Sequence, residues 1–402
     1  MNETAATVPR LDPRPARGLW SPPVLTMLAL SFVISTTEFM AVGVVPQIAD
    51  DLHTATGAAG LVSSLYATGV AVSTLPVAMT LMHHRPRVLL PMGLALFIAA
   101  HAVMALAPTL AVLILGRIMA AAVHSLALGV ALSAASAVVA PERRGAAVGL
   151  VLGGVSGAMF LGAPLGTALG DLVGWRTSFA IEGAVAVLVL FAVVRTLPDL
   201  PGQQTTDRRA LQVLWRPQVA KPLLVTLAIM MANGLLFTYL GAYLTDVTGM
   251  GGDGVALGLG VFGLAALGGN TVGSWFADRA PRAGSIAAVC LMMLAVALFG
   301  VMGDRAPLAY VLIVFWGAGV QAIVPIVTHQ AVGAGGGIAA VVGPGAANAG
   351  IALGGLAGSA VVSLSGLRTL PWITVSIGAV LAAVLAVEAL RDRSRARPHE
   401  AT

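Results

Sequence analysis

VLTMLALSFVISTTEFMAVGVV, residues 24–45, carries one charged side chain, Glu38, in a run long enough to cross the roughly 30 Å hydrocarbon core of a bilayer as a single helix. The run is continuous and does not alternate apolar with polar residues, so it is not a membrane barrel strand. No small-residue cleavage site follows it, and it reads as a retained helix, not a signal peptide. Apolar runs of the same kind recur at 58–82, 88–107, 109–130, 145–169, 178–195, 222–244, 255–277, 283–302, 308–328, 338–362 and 370–390. The apolar stretch Ala131–Val139 belongs either to the fourth run or to a surface helix after it. The expectation is an all-α membrane protein of twelve transmembrane helices.

Composition points the same way. The 402 residues are 58% hydrophobic and only 10% charged, with a mean hydropathy of +0.92, whereas charged residues make up about a quarter of a soluble chain. So few charges cannot solvate a globular surface of this size, which excludes a secreted or cytosolic enzyme and a disordered regulator. One cysteine, Cys290, leaves no internal disulfide framework and argues against a multi-thiolate metal site. No HExxH or phosphate-binding loop is apparent, so neither a cofactor nor ATP-driven transport by this chain is expected. The net charge of +5 is not a nucleic-acid signature, because the basic residues fall between the apolar runs.

Placing the N-terminus in the cytoplasm sorts the 22 Lys and Arg residues sharply. Arg176, Arg305 and Arg368 fall outside, Arg117 lies within the fourth run, and all the others fall on the cytoplasmic side. That bias supports two cytoplasmic termini and an even number of spans. The polar connection with Pro198, Pro201 and Pro217 divides the chain: a tail at 1–23, a six-helix bundle at 24–195, a cytoplasmic linker at 196–221, a second six-helix bundle at 222–390 and a tail at 391–402. Internal similarity agrees with the division, since at one constant offset Gly162, Gly166, Gly174 and Arg176 fall on Gly354, Gly358, Gly366 and Arg368. Two six-helix pseudo-repeats are the pattern of a transporter whose halves rock about a midplane site.

Several local patterns resemble the major facilitator superfamily, and within it the twelve-helix drug:proton antiporters of the chloramphenicol-resistance and arabinose-efflux type. They are Thr36-Thr37-Glu38-Phe39-Met40 followed by Pro46-Gln47-Ile48-Ala49-Asp50-Asp51-Leu52, Gly116-Arg117-Ile118 with His124, and Gly157 through Gly162-Ala163-Pro164-Leu165-Gly166-Thr167 with Gly174-Trp175-Arg176. In the second half the match continues at Phe237-Thr238-Tyr239, Leu244 to Gly249 and Asn348 to Gly354. The superfamily loop motif stands as Gly273-Ser274-Trp275-Phe276-Ala277-Asp278-Arg279, whereas its first-half copy is eroded to His83-His84-Arg85-Pro86-Arg87. The resemblance implies a major facilitator fold in a bacterial inner membrane and export of a small amphipathic compound against protons, the proton gradient taking the place of a cofactor. It implies chloramphenicol-like drug efflux first, with sugars, nucleosides or a natural product as same-class alternatives. The expected partners are the small-molecule substrate, protons and lipid, with the monomer as the functional unit.

Glu38 is the leading functional residue, because a carboxyl inside a membrane is expensive and seldom kept without use. Its expected role is proton coupling, with Arg117 as its partner, since a buried cation must also be compensated. His124, Asn233, Phe237, Tyr239, Trp316 and Gln321 are expected to contact substrate through aromatic surface and a few hydrogen bonds. Gly157, Gly162, Pro164 and Gly166, with Gly273, Asp278 and Arg279, are assigned to conformational change. His101 is read as a packing residue, and Glu182 and Glu388 as reaching the membrane interfaces. Gly154-Val155-Ser156-Gly157 also fits the Gly-x-Ser-Gly pattern of intramembrane serine hydrolases. That hydrolase and a non-transporting sensor are the remote alternatives.

Overall fold

A computed structural model describes residues 18–81, 83–202 and 208–395. Arg10, Arg14, Arg17 and Arg397, which enter the charge argument, lie outside the described residues, as do the side chains of Glu388, Arg391, Arg393 and Arg395. Among the described residues fourteen α-helices follow one another: α1 (Pro22–Gly43), α2 (Val45–Asp51), α3 (Thr56–Ala59), α4 (Leu61–Thr80), α5 (Pro86–Ala105), α6 (Leu110–Ala137), α7 (Arg144–Val173), α8 (Trp175–Thr196), α9 (Pro217–Phe237), α10 (Leu240–Asp246), α11 (Gly252–Arg279), α12 (Pro281–Met302), α13 (Ala306–Ser365) and α14 (Leu370–Arg395). Together they provide twelve helical segments long and apolar enough to cross a membrane. The stretch Ala131–Val139 falls largely within α6, resolving the ambiguity at the fourth span in favour of one long helix.

Two departures from the expected spans are informative. The first and seventh spans are each broken, at Val44 and at Thr238–Tyr239, so that a short helix, α2 or α10, continues each one. Spans ten and eleven are joined, because helical geometry runs without interruption from Ala306 to Ser365. Sixty residues of straight helix would reach about 90 Å, three times the membrane core. The chain therefore turns back within α13. Tyr310 bonds Gly254 at the start of α11 and Gly273, further along α11, meets Ala322, whereas Gly345 lies against Thr74 and Ser359 bonds Gly57 at the other end of α4. Pro325 and Pro344 sit inside this run, each removing one backbone donor.

The buried apolar residues separate by half. One cluster runs from Val24 to Leu197, and another is built almost wholly from Ile229 to Leu381. Outward-facing Leu188, Leu264, Leu294 and Val380 are exposed, as suits helices solvated by lipid.

The offset repeat has a structural basis. Gly162 and Gly166 let α7 approach α1 at Phe39 and Met40, and Gly354 and Gly358 let the second part of α13 approach α9 at Met231, Leu235 and Tyr239. Close backbone approach of small residues drives helix association where lipid offers no hydrophobic gain. Gly174 and Gly366 share another job: each ends its helix at a positive φ, 82° and 78°, which a side chain would strain. A Cβ at Gly166 would overlap the carbonyl of Met40. Gly166→Val is accordingly expected to cost about 1–3 kcal/mol of stability by overpacking, read as a lowered melting temperature of the purified protein. An unchanged melting curve would argue against this tight α1–α7 seam.

Candidate functional site

The polar centre of the first half is assembled by α1, α4, α5, α6 and α8. Arg117 on α6 is fully buried, and its guanidinium is held by backbone: Nε donates to Val62 O at 3.2 Å and Nη1 to Thr37 O at 2.6 Å. Its plane lies over the Tyr66 ring, 4.0 Å from the centroid, a cation–π contact that desolvation strengthens. Nη2 is buried and has no hydrogen-bond partner among the described residues. Sequence reasoning paired Arg117 with Glu38. The structure places Glu38 instead at ion-pair distance from His124, 4.0 Å from its carboxylate Oε2 to Nδ1. Arg117 and Glu38 still interact electrostatically, but the guanidinium is anchored by carbonyls, which frees its remaining nitrogen for an acceptor.

Tyr66 ties these groups together. Its hydroxyl lies 2.8 Å from His124 Nδ1 and 3.4 Å from Ile34 O, while its ring supports Arg117. It is one of only four tyrosines in the chain. That scarcity in a helix otherwise of small and aliphatic residues was the available signal for it. Glu38, Arg117, His124 and Tyr66 thus lie in one polar cluster.

Glu182 is a correction. Expected at a membrane interface, it lies about 10 Å along α8 from Trp175, buried against His101. The helix turns that side chain towards α5 and not along the membrane surface. His101, read as packing, is hydrogen-bonded at both ring nitrogens, to Phe97 O and to Thr37 Oγ1.

The residues of the second half expected to contact substrate fall into separate environments, with Phe237 and Trp316 sharing one. Phe237 stacks on Phe262 at 4.5 Å, and Trp316 packs edge-on to Phe262 at 5.0 Å inside the C-terminal half. Asn233 Oδ1 and Trp316 Nε1 are buried with no hydrogen-bond partner. Gln321 reaches across the halves, its Nε2 3.4 Å from Met159 Sδ on α7. Tyr239 is fully enclosed, its hydroxyl within 3.2 Å of Gly57 O and of Gly355 O. In this conformation it joins the halves, and the expectation of direct substrate contact gives way to that role.

The seal around Tyr239 lies at the end of the bundle away from the termini. Ser359 Oγ donates to Gly57 O at 2.7 Å, and Gly57 and Gly60 bring α3 and the start of α4 against α13 and the Tyr239 ring. At the same end Pro164 on α7 meets Gly260 on α11, while the glycine face of α7 holds α1. The residues assigned to conformational change in this helix therefore look both ways, towards their own half and towards the other. Gly273 permits close contact with Ala322, but Asp278 and Arg279 are exposed, with Arg279 over the Trp275 ring. At the eroded first-half copy Arg85 pairs with Asp199 at 2.9 Å. On the rim of the first half Arg176 donates to Asp51 and to Ala107 O, and its guanidinium holds the Asp51 carboxyl below the usual carboxylate range.

Two six-helix halves that meet across a seal, with a buried carboxyl and guanidinium in one of them, define a membrane transporter of the two-repeat type. The sequence matches the Major Facilitator Superfamily over residues 27–343, and the chain belongs to that family. In fold it is similar to two crystal structures of a bacterial homologue of the human lysosomal transporter Spinster. One, inward-facing and occupied, has a TM-score of 0.72 at 14% identity, covering 91% of this chain and 96% of that one. The other, inward-facing and unoccupied, has a TM-score of 0.71 at 16% identity, covering 93% and 98%. The protein is a multi-pass secondary transporter and not an enzyme. Gly154 in the serine-hydrolase pattern is accounted for by packing on Ser31 and Leu28 of α1.

Proposed function

We propose that this transporter is a proton-coupled exporter of a small amphipathic compound, seated in a bacterial cytoplasmic membrane as a monomer with both termini inside. The observation that carries the reading is Glu38: a carboxyl midway along the broken first span, partly enclosed, beside His124 and within the field of a buried arginine. A carboxyl in that place is neutral when protonated and becomes costly when ionised unless a cation compensates it. Arg117 Nη2 is the nearby donor without a partner, so movement of α1 that brings Glu38 to it stabilises the carboxylate and releases the proton. Substrate whose hydrogen-bond donors meet the ionised carboxyl holds it deprotonated, and a proton returning to Glu38 weakens that acceptor. Binding of one partner then opposes binding of the other, which is the requirement of an antiporter.

In the second half Asn233 Oδ1 and Trp316 Nε1, buried beside Phe237, have no hydrogen-bond partner among the described residues, which suits a neutral or weakly charged molecule with a few hydrogen-bonding groups that reaches them in another conformation. Chloramphenicol fits that description and is the first compound to test; sugars, nucleosides and natural products are the same-class alternatives. The experiment is accumulation of labelled chloramphenicol in an efflux-deficient bacterium expressing the protein. Accumulation below that of empty cells, restored by a protonophore, is expected. Equal accumulation at confirmed membrane expression would overturn the chloramphenicol assignment.

A further inference from the structure

Thr37, His101 and Glu182 lie buried in the first half, on α1, α5 and α8. His101 Nδ1 is 2.8 Å from Phe97 O. A carbonyl only accepts, so Nδ1 carries a proton. Nε2 faces Thr37 Oγ1 at 2.9 Å and Glu182 Oε2 at 3.2 Å. The Glu182 contact lies off the ring N–H direction, which Thr37 occupies, and among the described residues neither carboxyl oxygen of Glu182 has a hydrogen-bond partner.

These facts constrain the protons. A neutral ring with its proton on Nδ1 has no proton on Nε2 to offer, and an ionised Glu182 would then be a buried anion with no hydrogen bond and an acceptor for its nearest neighbour. That arrangement is strongly disfavoured. One added proton removes the conflict, either on Nε2, making an imidazolium beside a carboxylate, or on Glu182, making a neutral acid beside a neutral ring. Two added protons would place an uncompensated imidazolium near Arg117, which is already a buried cation.

We infer that His101 and Glu182 form a second proton-binding site, enclosed in the first half, that holds one shared proton in this conformation and is linked by Thr37 to Arg117. Thr37 makes the link with one residue: its side chain meets His101, its carbonyl accepts from Arg117 Nη1, and Glu38 follows it in sequence. The other ionisable groups facing this centre are Glu38 on α1, Tyr66 on α4 and His124 on α6; Tyr66 and Arg117 both sense the charge of Glu182. Movement of α1 during transport must disturb the Thr37–His101 bond, which gives the shared proton a route into the exchange cycle. That use in transport rests on the proton-coupled reading above, whereas possession of the proton does not.

The test is spectroscopic and needs no substrate. The full-length protein, labelled with nitrogen-15 in its histidine rings, is purified and examined at neutral pH, with the His101 signals identified by their loss in His101→Asn. Infrared spectra of wild type and Glu182→Gln report whether Glu182 contributes a carboxylic-acid stretch. The expected result is one proton on the pair: an imidazolium at His101 without an acid stretch, or an acid stretch with Nε2 unprotonated. A neutral ring beside an ionised Glu182, or an imidazolium beside a protonated Glu182, would overturn the inference. Glu182→Gln keeps the side chain's shape but removes the counter-charge, so where wild type shows an imidazolium a folded variant that keeps it would overturn the inference as well, and where wild type shows an acid stretch that stretch must vanish in the variant. Failure of chloramphenicol export leaves these readouts unchanged, and the two readings therefore fail separately.

Discussion

Glu38→Gln is expected to reduce gradient-driven export to the level of membranes lacking the protein, while exchange of labelled for unlabelled substrate at equal pH on both sides persists. Glutamine has the size of the protonated acid and its hydrogen-bonding edge, but it cannot release a proton. The variant is therefore fixed in a neutral state whose amide oxygen still accepts a hydrogen bond, able to bind and reorient but not to couple. His124, 4.0 Å away, and Arg117, held by two carbonyls, keep their own partners when the charge is removed, so the fold has no reason to collapse. The decisive comparison uses inverted vesicles energised by a pH gradient, set against counterflow in proteoliposomes without one. Undiminished uphill transport by Glu38→Gln would remove Glu38 from the coupling step.

The second large effect is at the seal. A side chain at Gly60 would overlap the Tyr239 ring, yet Gly60 itself has an ordinary helical φ of −61° that any residue adopts. Gly60→Val therefore strains only the conformation in which the halves meet. Overpacking of about 1–3 kcal/mol confined to one of two states shifts the balance roughly 5- to 150-fold towards the other. The expected outcome is near-complete loss of transport together with opening of the end opposite the termini. It is read by labelling Ser359→Cys with a membrane-impermeant thiol reagent, in a Cys290→Ser background, with and without Gly60→Val. Labelling should rise sharply in the double change. Equal labelling would mean that Gly60 does not control the seal.

Much of this architecture was legible because membrane crossing imposes a length and a composition on each span. The pairs Gly162 with Gly354 and Gly174 with Gly366 were visible as a repeat, and the structure gives each pair one physical task in both halves. Glu38 and Arg117 stood out because charge is rare in an apolar run. Their relation did not, since the sequence cannot say whether a buried guanidinium takes carbonyls or a carboxylate as acceptors. Tyr66 and the His101–Glu182 pair escaped for a related reason. Their partnerships follow only from the direction in which neighbouring helices turn their faces. Tyr239 was noticed as a polar aromatic, but whether such a residue meets a ligand or the opposite half depends on conformation.

The bonds that close the halves over Gly57 have an electrical consequence. A phenol and a serine hydroxyl rest there on backbone carbonyls, so parting them carries no formal charge through the membrane. Each elementary charge moved across 100 mV is worth about 2.3 kcal/mol, and these contacts forgo that term altogether. Membrane voltage then has no direct grip on these bonds. Whatever voltage dependence the transport cycle shows must enter through the ionisable groups deeper in the first half, where a single proton gained or lost alters the charge that moves.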